Sequence, residues 1–270
     1  NALDKCRGLM QSLSKTYFSG ETPAAAYDDS SCRWAYVYTH VAVNADLMKQ
    51  ALEEFESRDS TFSEVLIQDE IEICAIGGGP GSEMLAFAKY YKENRHDEQI
   101  CLIFKQIDRV QAWSENIQAL KSSLREYFKE KFGSRKEWPV IFDTSFVNTD
   151  ISNVEAYANY ASLYKCDIAV FSYVISEIFD FEQIIPVLEA IKEGQKESTY
   201  IVITDRSDTK TISKIKKAVE ILIGEVVFKY KRNGNISGDE QKHILEQKFP
   251  NVRRSPRVTW KSTSYLVKLG

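Results

Sequence analysis

The chemistry open to this chain is set by Gly77-Gly78-Gly79-Pro80-Gly81. Before it runs Ile71-Glu-Ile-Cys-Ala-Ile76, an apolar stretch of strand length. After it Met84, Leu85, Phe87, Ala88 and Tyr91 recur at helical spacing from Ser82 onward. A buried strand that ends in a glycine turn and opens a helix brings backbone close to a ligand. The free N–H groups of a helix start favour an anionic or polar ligand group. A dinucleotide fingerprint reads G-x-G-x-x-G. Here the glycines stand at 77, 79 and 81, with Ser82 where the third dinucleotide glycine belongs. The plain alternative is a strand–turn–helix that binds nothing.

Asp108 ends the next apolar run, 27 residues after Gly81. A carboxylate there can accept both hydroxyls of a ribose, as in dinucleotide folds, where the acid lies ~20 residues on. Its competing role is to cap the helix that follows. No nucleophile or acid–base cluster stands out. Candidates for proton transfer near strand ends are Glu177, Tyr173 and Asp205, although Asp205-Arg-Ser-Asp208 reads first as a turn and helix cap.

Gly-Gly-Gly-Pro-Gly at G-x-G-x-G spacing closely resembles the first motif of class I S-adenosylmethionine (SAM) dependent methyltransferases. The resemblance covers about residues 70–205. It implies a doubly wound, mostly parallel seven-stranded sheet that binds S-adenosyl-L-methionine and releases S-adenosyl-L-homocysteine. It also implies cofactor contacts at Gly77, Gly79, Gly81, Glu83, Asp108, Asp150, Ile151 and Ser172. In the family an acidic or amide residue after strand three takes the adenine amino group. Asp150 stands there, with Ile151 and Val147 as apolar walls, though Asp150 or Ser152 can instead cap a helix at 152–164. One position departs from the pattern. The family carries an acid two residues before the first glycine, where it orders the SAM amino end, and this chain has Ala75. Glu83 is the candidate to compensate.

Ser172-Tyr173 and Ser176-Glu177 resemble the fourth methyltransferase motif. More narrowly they resemble a Tyr-x-Leu-Asn/Ser-Glu-Leu box of ribosomal-RNA-associated methyltransferases, of the fungal uridine-N3 and mitochondrial small-subunit types. Arg33-Trp-Ala-Tyr36 resembles the Arg-Ala-Tyr pattern of that group. This implies an RNA acceptor, Glu177 and Tyr173 as catalytic candidates, and Arg33, Tyr36 and Tyr38 on an acceptor wall. A small-molecule or protein acceptor remains open. So does a SAM-binding sensor or assembly factor that transfers nothing.

The elements that must hold these residues follow from periodicity. Helices are expected at 2–18 and from Cys32 to Phe55, the latter with Trp34, Tyr38, Val41, Ala45, Met48 and Leu52 as its apolar stripe. Strands are expected at Ile71–Ile76, Ile100–Ile107, Trp138–Phe142 with extension to Phe146, Asp167–Tyr173, Thr199–Thr204, Glu225–Lys231 and Thr263–Leu269. Helices fall between them, near 152–164, 181–193, 211–223 and 239–248. Strands alternating with helices imply a parallel sheet covered on both faces. The last two strands, with no long helix between them, suit an antiparallel edge. Ligands of such sheets bind beyond the carboxyl ends of the strands, at the switch point. The domain reading is an N-terminal helical extension over 1–60 and a SAM-dependent domain over 61–270.

Composition is that of a globular protein, 43% hydrophobic and 27% charged. No apolar run approaches the ~20 residues of a membrane span. Cys6, Cys32, Cys74, Cys101 and Cys166 are odd in number and far apart, without C-x-x-C. His40, His96 and His243 are scattered. This reads as free thiols in a reducing compartment, cytoplasmic or nuclear, with no metal site. Asn1-Ala-Leu-Asp-Lys lacks the apolar core of a secretory signal and an initiator methionine, so the chain reads as trimmed and upstream targeting, mitochondrial included, stays open. Oligomeric state is not legible. The net charge is −4, but residues 206–270 hold 15 basic against 6 acidic side chains. Such asymmetry suits an anionic partner or a solvated basic face. Lys229, Lys231, Arg232, Arg253, Arg254 and Arg257 are the candidate phosphate contacts.

Overall fold

The strand before the glycine turn, β1 (Glu70–Ile76), is buried on both faces and lies inside the sheet, third from one edge. The computed structural model describes residues 27–94, 99–151, 164–178, 180–194, 196, 199–235, 247 and 259–269. The helix expected at 2–18 and the residues Arg253, Arg254 and Arg257 lie outside the described residues. So do almost all of the helices expected at 152–164 and 239–248.

β1 pairs in parallel with β2 (Ile100–Asp108) on one side and β4 (Ile168–Ser172) on the other. β2 pairs with β3 (Val140–Asn148), and β4 with β5 (Tyr200–Arg206). β7 (Thr259–Lys268) inserts antiparallel between β5 and β6 (Glu225–Asn235), giving the order β3-β2-β1-β4-β5-β7-β6. This is the doubly wound, mostly parallel seven-stranded sheet with an antiparallel edge. The chain reverses direction across the sheet between β1 and β4, so the ends of those strands mark the switch point where such sheets bind ligands.

Side-chain alternation divides the core into two layers. Ile71 and Ile73 of β1 point into one, with α4 (Ser82–Asn94), α5 (Trp113–Phe132) and two N-terminal helices, α2 (Ala42–Arg58) and α3 (Ser60–Leu66). Cys74 and Ile76 point into the other, with α6 (Ile185–Gly194) and α7 (Thr209–Leu222). Each layer removes more than twenty apolar side chains from water, and full burial of one is worth about 1.5–3 kcal/mol.

Three boundaries differ from expectation. The long N-terminal helix is interrupted: α1 (Ser30–Tyr36) passes through a π-helical turn, Val37–Val41, into α2. β3 starts at Val140, since a 3₁₀ turn at Arg135–Glu137 carries the chain to Trp138, and it pairs with β2 as far as Asn148. α3 is too short to show periodicity. Asp59 caps it, accepting from the Phe62 N–H at 2.6 Å.

Candidate functional site

Where the ends of β1, β2 and β4 meet, two adjoining cavities of about 160 and 80 Å³ share Gly77, Asp108, Arg109 and Glu177 as lining. The glycine turn forms their floor. Gly77 and Gly81 have φ of +64° and +90°, the region L side chains avoid. Space forbids a side chain as well: a Cβ would stand 2.6 Å from Val174 Cγ2 at Gly77 and 2.7 Å from Ile117 Cδ1 at Gly81.

The destination of the turn's N–H groups decides what it can bind. Gly77 and Gly78 donate to the Ile107 carbonyl at 2.8 and 3.3 Å, and Gly81 donates to the Gly78 carbonyl at 3.0 Å. Gly79 donates to Asp108 Oδ2 at 2.9 Å. Within the glycine turn itself, then, these four N–H groups are satisfied by the protein, and the expected free donors are those of the helix start from Ser82. Around them stand three carboxyls, Glu83, Asp108 and Glu177, and one cation, Arg109. A pyrophosphate would meet like charge and few donors, whereas a cationic ligand with a ribose finds acceptors.

Asp108 does not cap α5, whose N-cap is Ala112 and carries no side-chain bond. Its Oδ1 accepts from Val110 N–H at 2.8 Å, and Oδ2 from Gly79. It thereby clamps the turn after β2 onto the glycine turn. Each oxygen keeps a second lone pair for a ligand hydroxyl. Burial raises its pKa, against the downward pull of those two N–H donors.

Glu83, in the first turn of α4, is 3% exposed. Burial pushes its carboxyl up to about 8. Its Oε2 has no hydrogen-bond partner among the described residues. Glu177 sits on the turn after β4. Burial, with Asp205 and Asp108 adding negative charge and Arg206 opposing, lifts it to about 7. The turn is held from below. Asp205, fully buried at the end of β5, accepts from Ser176 N–H at 2.9 Å and from Arg206 N–H at 2.7 Å. Asp205 is thus a positioning residue, while Asp208 caps α7 through Thr211 N–H.

Ser172 and Tyr36 line the narrower cavity, Asp150 and Ile151 the wider one. Arg109 Nη1 approaches Asp150 Oδ2 at 4.0 Å. Tyr173, Tyr38 and Arg33 are not among the lining residues of either cavity. Tyr173 takes φ +59° and packs its ring against Val43 and Leu47 of α2. Tyr38 is buried with Tyr27, Cys32, Ala35, Val110 and Trp113. Arg33 donates to the carbonyls of Tyr27 and Asp28 and pairs with Glu115 at 3.1 Å. Its placement is that of a pin between α1 and α5. Arg33→Met is expected to lower stability by about 1.5–3 kcal/mol, the range for charge-assisted hydrogen bonds, and to leave ligand affinity within about twofold. Denaturation together with calorimetry checks both.

Two residues of the site escaped the sequence reading. Gln106 of β2, 1% exposed, lies so close beneath the turn that a Cβ on Gly78 would stand 2.1 Å from its Nε2. Asn44 of α2, 4% exposed, lines the narrower cavity with Tyr36. In an uninterrupted α-helix, residues 36 and 44 would sit about 80° apart around the axis. The extra residue of a π turn closes that to about 20°. The π turn at Val37–Val41 thus brings both onto the face that meets the cavity.

Over residues 18–246 the chain matches the sequence model of a family described as "Putative SAM-dependent methyltransferase". The chain belongs to this family. It is a class I SAM-dependent methyltransferase by sequence model and by sheet topology. No curated protein matches it significantly in sequence. Among solved structures, a SAM-dependent methyltransferase from Methanosarcina mazei is 10% identical with a TM-score of 0.48, covering 76% of this chain and 95% of its own. The N-methyltransferase NodS from Bradyrhizobium japonicum, in complex with S-adenosyl-L-homocysteine, is also 10% identical, with a TM-score of 0.47 and coverage of 87% and 91%. A SAM-dependent methyltransferase from Clostridium acetobutylicum is 11% identical with a TM-score of 0.47 and coverage of 78% and 88%. The assignment of this methyltransferase rests on the family's sequence match.

Proposed function

We propose that this methyltransferase holds SAM across the two cavities and methylates an RNA base nitrogen presented beside Glu177. The observation that carries the site is the Asp108 clamp: one carboxylate fixes the glycine turn and keeps lone pairs toward the cavities. In this reading Asp108 takes the ribose hydroxyls. Asp150 and Ile151 hold the adenine, and the glycine turn with Ser172 and Glu83 lies along the methionine end. When bound, SAM supplies a methyl group already activated on a sulfonium, so the protein has mainly to align the acceptor.

Glu177 is the base in this reading. With its pKa near 7 it is partly ionised at neutral pH and can take the proton of an N–H acceptor as the nitrogen is methylated. Only the ionised form accepts a proton, so transfer is expected to rise through about pH 7 and level above it. Glu177→Gln is expected to lower the rate about 100-fold or more and to erase that limb, measured as a pH–rate profile at saturating cofactor.

Support for RNA comes from the two short sequence boxes and from the excess of basic side chains over 206–270. Within β6, strand alternation places Lys229 and Lys231 on one face and Arg232 on the other, so these three do not form a single cluster. The observation favouring a non-catalytic SAM binder is Ala75, where the family carries an acid. The test is transfer of a tritiated methyl group from SAM to fractionated RNA, protein and metabolites. Label is expected in RNA. Replacing Arg253, Arg254 and Arg257 with serine should weaken RNA binding and flatten its log–log salt dependence by about 0.7 per lost phosphate contact. Label in protein or metabolites, or none despite bound cofactor, removes the RNA reading.

A further inference from the structure

Three residues that line the narrower cavity carry buried, unpartnered oxygens. Glu83 Oε2 from α4, Asn44 Oδ1 from α2 and Ser172 Oγ from β4 are each buried, and none has a hydrogen-bond partner among the described residues. All three residues line this cavity. The Ser172 hydroxyl is near enough to the Glu83 carboxyl to favour its ionised form, without meeting hydrogen-bond geometry to it, so its oxygen stays open to a ligand. Buried acceptors left empty are costly and uncommon. Three on one cavity, from three elements, one of them a carboxyl, describe a receptor for a small cation with several N–H donors.

We infer that Glu83, Asn44 and Ser172 form a clamp for the α-ammonium group of the cofactor's amino-acid end, replacing the acid that Ala75 lacks. The inference rests on the SAM reading of the site. An ammonium has three donors, and the clamp offers three acceptors. The usual acid would come from β1 beneath the turn. Here that space holds Ala75 and the Gln106 side chain against Gly78. The substitute comes from α4, α2 and β4, and it depends on the π turn that swings Asn44 inward. The clamp selects ligands with a free amino group over nucleosides that end at the thioether.

Protonation follows the same logic. Burial holds the free Glu83 carboxyl near pKa 8, so it is mostly neutral at pH 7. The titratable groups facing it are Asp108 on β2 and Tyr36 on α1; Tyr36 in turn faces Glu177. An arriving ammonium favours the ionised carboxyl, so binding at pH 7 is expected to release close to one proton.

The probes are S-adenosyl-L-homocysteine and 5′-methylthioadenosine, which shares the nucleoside and thioether but lacks the amino-acid end. Calorimetry at pH 7 in buffers of different ionisation enthalpy reads affinity and proton release together. Glu83→Gln is expected to weaken homocysteine-nucleoside binding about 30- to 100-fold, the cost of removing one partner of a buried charge pair. It should abolish the proton release and change methylthioadenosine affinity less than about threefold. Asn44→Leu should show the same selectivity at about 5- to 10-fold, and it carries the test if Glu83→Gln fails to fold. Equal weakening of both probes, or of neither, overturns the clamp while the cofactor site stands. If the wild-type protein binds neither probe, the SAM reading fails and the clamp with it.

Discussion

Asp108→Asn is expected to cost about 100-fold or more in S-adenosyl-L-homocysteine affinity and about 1–3 kcal/mol in stability, although it changes one atom. Both oxygens of Asp108 accept backbone N–H groups, from Gly79 and from Val110. An asparagine has one carbonyl oxygen, so its NH₂ must face one of those donors. That N–H group is then buried without a partner, and the turn it belongs to moves. If the side chain rotates to keep Gly79, the turn at Val110 loosens. If it keeps Val110, the glycine turn loosens. In either case the lone pairs assigned to ribose no longer stand where the nucleoside needs them. Denaturant titration and calorimetry measure the two losses. Retained affinity would show that the clamp does not shape the site.

The ligand-free protein is expected to be most stable near pH 5 and to lose stability toward pH 8. Glu83 and Glu177 have folded-state pKa values near 8 and 7, above the ordinary 4.5. A carboxyl raised on folding binds more protons in the native state between those values. Stability therefore falls as pH rises through that window, by up to about 1.4 kcal/mol per pH unit for each group. Glu83, the more buried, contributes most. Partly exposed Glu177 contributes less, because solvent screens it. On the acid side the sign reverses. Against the upward push of partial burial, hydrogen bonds from Phe62, Lys196 and Thr211 hold Asp59, Glu72 and Asp208 below their ordinary pKa. That stability is lost as those groups protonate below about pH 4. Melting temperature against pH gives the profile. Saturating S-adenosyl-L-homocysteine should flatten the alkaline limb, since the ligand's cation compensates the charge on Glu83. A ligand-free melting temperature that rises from pH 5 to pH 8 would contradict this assignment of buried carboxyls.

How much of this was legible in the chain depends on how local each feature is. The glycine turn is read from five adjacent residues because one of its causes, positive φ, is local; the close contacts with Val174, Gln106 and Ile117 are not. The sheet is read from apolar runs because strands buried on both faces have little other composition open to them. Asp108 is found by its place at a strand end. Its clamp is not, because the partner N–H of Gly79 is 29 residues away. Ala75 shows that something is missing, and the sequence stops there. Asn44 stays hidden because an ordinary helix would turn it away from Tyr36, and nothing in Val37-Tyr-Thr-His-Val41 announces a π turn. The resemblance of Arg33-Trp-Ala-Tyr36 to an Arg-Ala-Tyr pattern puts Arg33, Tyr36 and Tyr38 together on an acceptor wall. Of the three, Tyr36 alone lines either cavity: Arg33 is drawn to the Tyr27 and Asp28 carbonyls and to Glu115, and Tyr38 is buried against Val110 and Trp113.

A structure of the protein crystallised with S-adenosyl-L-homocysteine tests the central claim most directly. The expected result places the ribose hydroxyls within hydrogen-bond distance of Asp108, the adenine against Ile151, and the homocysteine end over Gly77–Gly79. A nucleoside bound with its ribose away from Asp108, or no nucleoside in the cleft at saturating ligand, would contradict it.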